Sequence, residues 1–178
     1  NSYRGENVRV AVIDTGCYTS HEDFNGTNIK TISKNMVTST TGLAAVNDTN
    51  SHGTTSAATI AAAVNGVGGT GIAPNVELII LKCVDSNNAF NNTAINNALQ
   101  YCIDNDVDVI NMSIQGYNVS SNFSATYFED FGKYTVNTTS MGIMTPTMFS
   151  TKINACYEKG ITIVAAAGNY NTNIPSYP

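Results

Sequence analysis

Basic residues are scarce in this sequence, and the few that occur are not clustered. The 178 residues include 8 Lys and Arg against 13 Asp and Glu, which gives a formal charge of -5 at pH 7. A protein that binds nucleic acid needs a positive surface to face the phosphate backbone. Because the sequence provides no such surface, we expect no nucleic-acid partner.

Long apolar stretches are also absent. No run approaches the roughly 20 apolar residues that cross a membrane as a helix, and no signal sequence precedes the first residue, Asn1. We therefore expect no membrane span in this chain, and we interpret it as a mature chain or an excised domain. Its 42% hydrophobic residues suffice for one core, and its length is short for two domains.

Cysteine is sparse, and its spacing is irregular. The four cysteines, at positions 17, 83, 102 and 156, lie far apart and lack the paired spacing that is typical of a zinc site. We expect free thiols, or at most one disulfide pair.

Histidine occurs only twice, and its second occurrence begins the most informative stretch of the chain. His52 is followed by Gly53 and by an Ala-rich run, which predicts a helix of small residues over positions 52–64. The glycine leaves room for a partner group to approach the imidazole ring. Taken alone, a histidine in an Asn/Ser/Gly turn is more often a solvated loop residue, so the rest of the chain has to decide its role.

Apolar segments of strand length alternate with segments of helical periodicity. Strands are predicted at residues 8–13, 76–84, 107–113 and 161–167, with a further short strand within 29–36. Helices are predicted at 52–64, at 93–105 and through residues 153–157, the last of them ended by Gly160. This order predicts an α/β fold, in which a mainly parallel sheet has right-handed crossovers and helices on both faces.

Polar residues follow several of these strands at their carboxyl ends, where parallel sheets bind ligands. Asp14 follows the first strand, residues 113–116 follow the third, and Asn169 follows the fourth. An aspartate can fix the tautomer of a histidine, the histidine can take a proton from a hydroxyl, and an amide can donate to a developing oxyanion. Together with His52, these residues are the parts of an acyl-transfer site that lacks only its nucleophile.

The same residues lie in motifs that resemble those of the subtilisin-like serine proteases. The motifs are the family's aspartate motif, its His-Pro-Asp-Leu segment, its histidine motif, the strand after the histidine helix, the strand of the specificity pocket and the oxyanion asparagine motif. They match residues 10–16 (VAVIDTG), 21–24 (HEDF), 50–54 (NSHGT), 71–74 (GIAP) with 77–82, 111–114 (NMSI) and 165–169 (AAAGN), respectively. Because they occur in the family's order, the resemblance is specific.

The resemblance implies a serine endopeptidase that cleaves peptide bonds through an acyl-enzyme. It implies that Asp14 orients the histidine, that His52 is the general base and then the general acid, and that Asn169 donates to the oxyanion. It also implies a polypeptide substrate held at the end of the third strand, by Ser113, Ile114, Gln115 and Gly116. By the same resemblance we expect a secreted or cell-surface protein with a propeptide among its partners.

The family's serine motif, Gly-Thr-Ser-Met-Ala, is missing after Asn169, and the sequence ends at Pro178. Residues 138–142 (TTSMG) look similar but precede the oxyanion motif, which disfavours Ser140 as the nucleophile. We expect residues 1–178 to be the N-terminal part of one catalytic domain, with an incomplete sheet and no activity alone. The serine is then expected beyond Pro178, in a longer polypeptide or in a separate chain.

Two other interpretations stay open at this point. The first is a catalytically inactive subtilisin-like pseudoprotease that acts as a binding or regulatory module. The second, weaker one is a different hydrolase built on a parallel sheet. The sequence beyond Pro178 distinguishes the pseudoprotease from the enzyme, because only the enzyme requires an intact serine motif.

Three further features differ from the family pattern. Residues 55–58 (TSAA) replace the usual His-Val-Ala-Gly, and Gln115 stands where glycine is usual, so substrate preference cannot be inherited. The connection over about residues 117–150 is enlarged and rich in aromatic residues and methionine. It is either a lobe over the substrate cleft or an insertion that covers its own small core.

Calcium is the one metal that the resemblance implies. Asp23 and Asn65 occupy the positions of two calcium ligands of the family, and oxygen ligands on a glycine-containing loop suit this cation. A turn aspartate and a helix-capping asparagine are the alternative interpretation of the same two residues.

Overall fold

The computed structural model describes residues 3–114, 116–117, 124–129, 132–137, 148–166 and 176–177. The strands of this part of the chain are β1 (Arg9–Asp14), β2 (Lys34–Asn35), β3 (Thr40–Thr41), β4 (Glu77–Lys82), β5 (Val109–Met112), β6 (Gly116–Tyr117), β7 (Ser124–Glu129), β8 (Gly132–Asn137), β9 (Thr162–Ala165) and β10 (Ser176–Tyr177). The helices are α1 (His52–Ala61), α2 (Asn92–Asp104) and α3 (Ser150–Glu158), with short 3-10 helices at Glu22–Phe24 and Leu43–Val46.

The main sheet has the strand order β3-β2-β4-β1-β5-β9. β1 is central and runs parallel to β4 on one side and to β5 on the other. β9 and β2 extend the sheet in parallel on its two sides, and β3 pairs antiparallel with β2. The last residue of β1, Asp14, pairs with the last residue of β4, Lys82, so Asp14 lies at the carboxyl edge of the sheet, as predicted.

Helices cover both faces of the sheet. Successive side chains of β1 point to opposite faces, so β1 contributes to the core on each side. Val10 and Val12 belong to a core cluster that includes Ala57 and Ala61 of α1. Ala11 and Ile13 belong to a second cluster, which they share with α2 and α3. β4, whose four central residues are buried, contributes to both clusters. The predicted α/β fold, mainly parallel with helices on both faces, is confirmed.

α1 is shorter than the sequence predicts. The Ala-rich run indicates a helix to about residue 64, but the helix ends at Ala61. The reason is a contact between distant segments, since the Ala63 N–H donates to Asp23 O at 2.7 Å instead of continuing the helical ladder. Gly71 N–H then donates to Ala62 O, which closes the chain back against the end of the helix.

The enlarged connection at 117–150 lies mostly outside the described residues. β7 and β8 form an antiparallel hairpin within it, and β6 pairs antiparallel with β10 near the end of the chain. Whether the connection covers the cleft or its own core therefore stays a prediction. No helix in the described ranges combines the length and the apolarity needed to cross a membrane.

All four cysteines are buried free thiols. Cys83, Cys102 and Cys156 lie in the cluster beneath α2 and α3, and Cys17 lies in the cluster beneath α1. Burial raises the pKa of each thiol above its ordinary value, for Cys17 to about 12. Of the two expected states, the structure has the free thiols, and at neutral pH they behave as small apolar side chains.

Candidate active site

Asp14 and His52 are in direct contact. Asp14 is fully buried, and its Oδ1 lies 2.7 Å from His52 Nδ1 and accepts the Thr15 N–H at 2.6 Å. A buried carboxylate needs such partners because removing its charge from water is costly. The contact favours the tautomer with the proton on Nδ1, which leaves Nε2 free to accept a proton. The His52 side chain keeps 48% of its surface exposed, so its ring can be reached from outside.

The close approach of α1 to the loop after β1 creates this contact. His52 is the first residue of α1, and the next residue, Gly53, donates its N–H to Thr15 Oγ1 at 2.8 Å. A Cβ on Gly53 would lie 2.9 Å from Gly16 N and would collide with the Gly16 carbonyl oxygen. The glycine after His52 is therefore required by packing, and it brings the ring to Asp14.

Two cavities adjoin the histidine. The larger, about 540 Å³, lies along α1 and is lined by His52, Thr55, Ser56, Thr59 and Ile60, with Asn50, Ser51, Asn111 and Ser113. The smaller, about 240 Å³, is lined by Thr15, Asn50, His52, Asn88, Phe90, Ser113, Ile114 and Ala166. His52, Asn50 and Ser113 line both cavities, so they separate the two spaces along one cleft.

The residues predicted to hold the substrate are only partly described. Ser113 and Ile114 lie beside His52 in the smaller cavity. Ser113 Oγ accepts a hydrogen bond from Asn111 Nδ2 at 3.0 Å, and Ile114 is buried in the core. Gly116 begins β6. Gln115 lies outside the described residues, as do the predicted oxyanion donor Asn169 and Ser140.

The two predicted metal ligands meet at one corner of the fold. Asn65 Nδ2 donates to Glu22 O at 2.8 Å and to Asn25 O at 3.2 Å, so it clamps the short helix that carries Asp23. Asp23 Oδ1 is buried without a hydrogen-bond partner among the described residues, and His21 Nδ1, at 3.8 Å, is too distant to serve as one.

The surroundings of the Asp23 carboxylate suit a hard cation. Gly68, with φ 55°, packs so tightly against the Asp23 carboxylate that a side chain there would collide with it. An unpartnered carboxylate oxygen enclosed by a glycine-containing loop matches the oxygen chemistry that calcium prefers. The Asn65 amide oxygen accepts the Val67 N–H at 3.1 Å and has one further lone pair.

Sequence reasoning missed several residues that shape the cleft. Asn88 and Phe90 line the smaller cavity from the loop after β4. Thr15 lies in the aspartate motif, but its role in tying the end of β1 to α1 was not predicted. Asp48, in the loop before α1, accepts hydrogen bonds from two groups of Thr54. The usual capping pattern concerns the N-cap residue, which is Ser51, and so it does not indicate Asp48. The others depend on contacts between distant segments.

Comparisons with known proteins identify the family of the chain. The model of the Subtilase family matches residues 5–178. Subtilisin E of Bacillus subtilis (strain 168) is 33% identical over 180 residues, which cover 99% of this chain and 39% of the relative. The major intracellular serine protease of the same strain is 39% identical over 115 residues, which cover 64% of this chain and 35% of the relative.

A solved structure shows the same fold. Fervidolysin from Fervidobacterium pennivorans, a keratinolytic enzyme related to subtilisin, matches with a TM-score of 0.71 at 22% identity. The match covers 98% of this chain and 23% of fervidolysin. The chain therefore spans less than half the length of each of these three proteins.

Proposed function

The chain belongs to the Subtilase family, and on that premise we propose that it supplies the aspartate and the histidine of a serine endopeptidase. The observation that carries the proposal is the 2.7 Å contact between the buried Asp14 carboxylate and His52 Nδ1. A histidine oriented in this way, with an exposed face toward a cleft, is the general base that acyl transfer requires.

In the proposed reaction, His52 Nε2 takes the proton of a serine hydroxyl while the serine oxygen attacks the carbonyl carbon of the peptide bond. Asp14 stabilises the imidazolium that forms. The C–N bond then breaks, the leaving amine takes the proton from Nε2, and the acyl group stays on the serine. Water, deprotonated by the same nitrogen, then attacks the ester carbonyl. The bond to the serine oxygen breaks, this oxygen takes the proton back from Nε2, and the acid is released.

Asn169 is the proposed side-chain donor to the oxyanion. It follows β9, whose last residue, Ala165, pairs with Met112 at the carboxyl edge of the sheet. The proposed substrate contacts are Ser113, Ile114, Gln115 and Gly116. Ser113 and Ile114 are supported as substrate contacts because they line the smaller cavity together with His52.

The serine is proposed to lie in a segment outside these 178 residues, which then form the N-terminal part of one catalytic domain. That segment is provided by a longer polypeptide or by a separate chain, and a propeptide is a further proposed partner. The segment that carries the serine is proposed to occupy the larger cavity. This space of about 540 Å³ lies beside His52 and is lined by the small side chains Thr55, Ser56 and Thr59.

We also place a structural calcium ion at Asp23 in this proposal. The unpartnered Asp23 Oδ1 and the tight packing of Gly68 support it, and backbone carbonyls of the 65–69 loop, with the Asn65 amide oxygen, would complete the ligand set. When bound, the ion would join this loop to the short helix at Glu22–Phe24 and so stabilise the end of α1.

A secreted or cell-surface location is part of the proposal. One relative is named an intracellular protease, so the location of this protein has to be tested by experiment. Fractionation of cells that express the tagged protein separates the two cases. Recovery in the medium or on the surface supports the proposal, and recovery only in the cytosol contradicts it.

A fluorophosphonate probe tests the proposed chemistry, because it reacts with a serine that a histidine has activated. In the full-length protein we expect labelling that is lost in His52→Ala. The matched control is His21→Asn, which changes the other histidine and keeps a side-chain acceptor for the Asp23 N–H, and it should be labelled like the wild type. Absence of labelling in well-folded wild-type protein would favour the inactive pseudoprotease.

A further inference from the structure

The helix that begins with His52 lacks an ordinary N-cap. Ser51 occupies the cap position with φ 77°, in the left-handed region, and its side chain makes no capping hydrogen bond. The first N–H groups of a helix have no partner within the helix and need acceptors from elsewhere. The acceptors at the start of α1 therefore decide how firmly His52 is held.

Thr15 supplies one of these acceptors, for the Gly53 N–H, and Asp48 supplies another from the preceding loop. Its Oδ2 accepts the Thr54 N–H at 3.0 Å and the Thr54 hydroxyl at 2.6 Å. Its Oδ1 accepts the Asn50 N–H at 2.9 Å. One carboxylate thus fixes both the first turn of α1 and the loop that enters it. A negative charge at this end of a helix also interacts favourably with the helix dipole.

The same carboxylate is linked to the segment after β1. Thr54 Oγ1, which donates to Asp48, accepts the Tyr18 N–H at 3.0 Å. Burial by itself raises the pKa of the Asp48 carboxyl, but hydrogen bonds from Thr54, Asn50 and Thr15 outweigh it, and the pKa lies below its usual value. Asp48 is therefore ionised at neutral pH, and charged acceptors form the stronger hydrogen bonds.

From these contacts we infer that Asp48 is a positioning residue for His52. Its carboxylate holds the first turn of α1 against the segment after β1, and thereby keeps His52 Nδ1 at 2.7 Å from Asp14 Oδ1. Asp48 itself lines neither of the two cavities beside His52. The inference rests on the proposed function for its effect on catalysis, but not for its effect on the geometry of the ring.

The proton between His52 Nδ1 and Asp14 Oδ1 provides a direct readout. In the full-length protein we expect it to give a low-field NMR signal, which is assigned by its loss in His52→Ala. In Asp48→Ala we expect this signal to broaden or move, and fluorophosphonate labelling to slow about 10- to 100-fold, as a small misplacement of a catalytic group does. Asp48→Asn, which keeps one acceptor oxygen, should lie between Asp48→Ala and the wild type.

Asp108→Ala is the matched control. Asp108 also accepts a backbone N–H through its carboxylate, from Arg9 at 2.7 Å, but at the opposite end of β1 from Asp14. We expect this variant to keep both the low-field signal and the labelling rate, even where its stability falls. A signal that weakened equally in both variants would show a general loss of structure and overturn the inference.

The outcomes separate this inference from the proposed function. If the wild type is not labelled but its low-field signal responds to Asp48→Ala, the proposed function fails and the positioning role stands. If folded Asp48→Ala keeps the wild-type signal and labelling, the positioning role is wrong. Should the alanine variant not fold, Asp48→Asn decides: a weakened signal supports the role, and an unchanged signal overturns it.

Discussion

Thr15 Oγ1 accepts the Gly53 N–H at 2.8 Å, and this bond joins the residue after Asp14 to the residue after His52. The two segments are so close there that a Cβ on Gly53 would also lie 3.0 Å from Thr15 Oγ1. The distance between Asp14 and His52 is thus fixed by the backbones that carry them, and not only by their own side chains. The bond and the residues around it lead to the first prediction.

Replacing Thr15 by valine should destabilise the protein. The change leaves the buried Gly53 N–H without its acceptor, which costs about 1–3 kcal/mol of unfolding free energy. Thr15→Ser keeps the hydroxyl and is the matched control. Urea unfolding of both variants measures the difference, and a valine variant as stable as the serine variant would show that the bond contributes nothing.

Replacing Phe90 should alter the choice of substrate. Phe90 and Ile114 are the large apolar side chains that line the smaller cavity, of about 240 Å³. Phe90→Ala enlarges this space, so kcat/KM for peptides with a large apolar side chain beside the scissile bond should rise about 10-fold relative to alanine-containing peptides. Phe90→Leu should give a smaller change. A peptide library that showed one unchanged preference across all three proteins would exclude the cavity as a substrate pocket.

Calcium should stabilise the protein through Asp23. Adding Ca²⁺ to chelator-treated protein should raise its melting temperature, because a cation that binds only the folded state shifts the folding equilibrium. Asp23→Asn should abolish the rise. Asp104→Asn, in which an exposed carboxylate that accepts a hydrogen bond from Gln100 is changed, should retain it. A wild-type protein with the same melting temperature in calcium and in chelator would refute the site.

The free energy of unfolding should fall as the pH rises above the ordinary pKa of a thiol. Burial raises the pKa of Cys17 from 9.0 to about 12. Between these values the unfolded chain loses the proton while the folded protein keeps it, so the stabilisation is complete below pH 9.0 and is lost toward about 12. The slope approaches about 1.4 kcal/mol per pH unit for one thiol. Urea unfolding at pH 8 to 10 should show a shallower decline for Cys17→Ala than for the wild type, whereas parallel profiles would contradict the burial of the thiol.

Local sequence patterns predicted the elements of this fold because the relevant signals lie within each element. The apolar run at residues 76–84 contains β4, and the helical spacing at 93–105 matches α2 to within one residue at each end, with Asn91 as its N-cap. The end of α1 was placed too late, since it depends on the Asp23 carbonyl oxygen that accepts the Ala63 N–H. A pattern read along the chain does not contain that contact.

In the candidate site, too, signals within one segment were predictable and contacts between distant segments were not. The order of the motifs located Asp14 and His52, and the structure brings them into contact. The supports of the contact are Thr15, which lies in the aspartate motif, and Asp48, which lies in no motif. Neither role could be predicted, because both arise where the loop after β1 meets the start of α1. Gln115 and Asn169 lie outside the described residues, so their roles stay predictions.

The most direct test of the central claim is to locate the fluorophosphonate adduct. The claim is that Asp14 and His52 act on a serine outside residues 1–178. Digestion of the labelled full-length protein and mass spectrometry of its peptides should find one modified serine, in a segment beyond these residues and absent from His52→Ala. An adduct on a serine within the 178 residues, such as Ser140, would contradict the account.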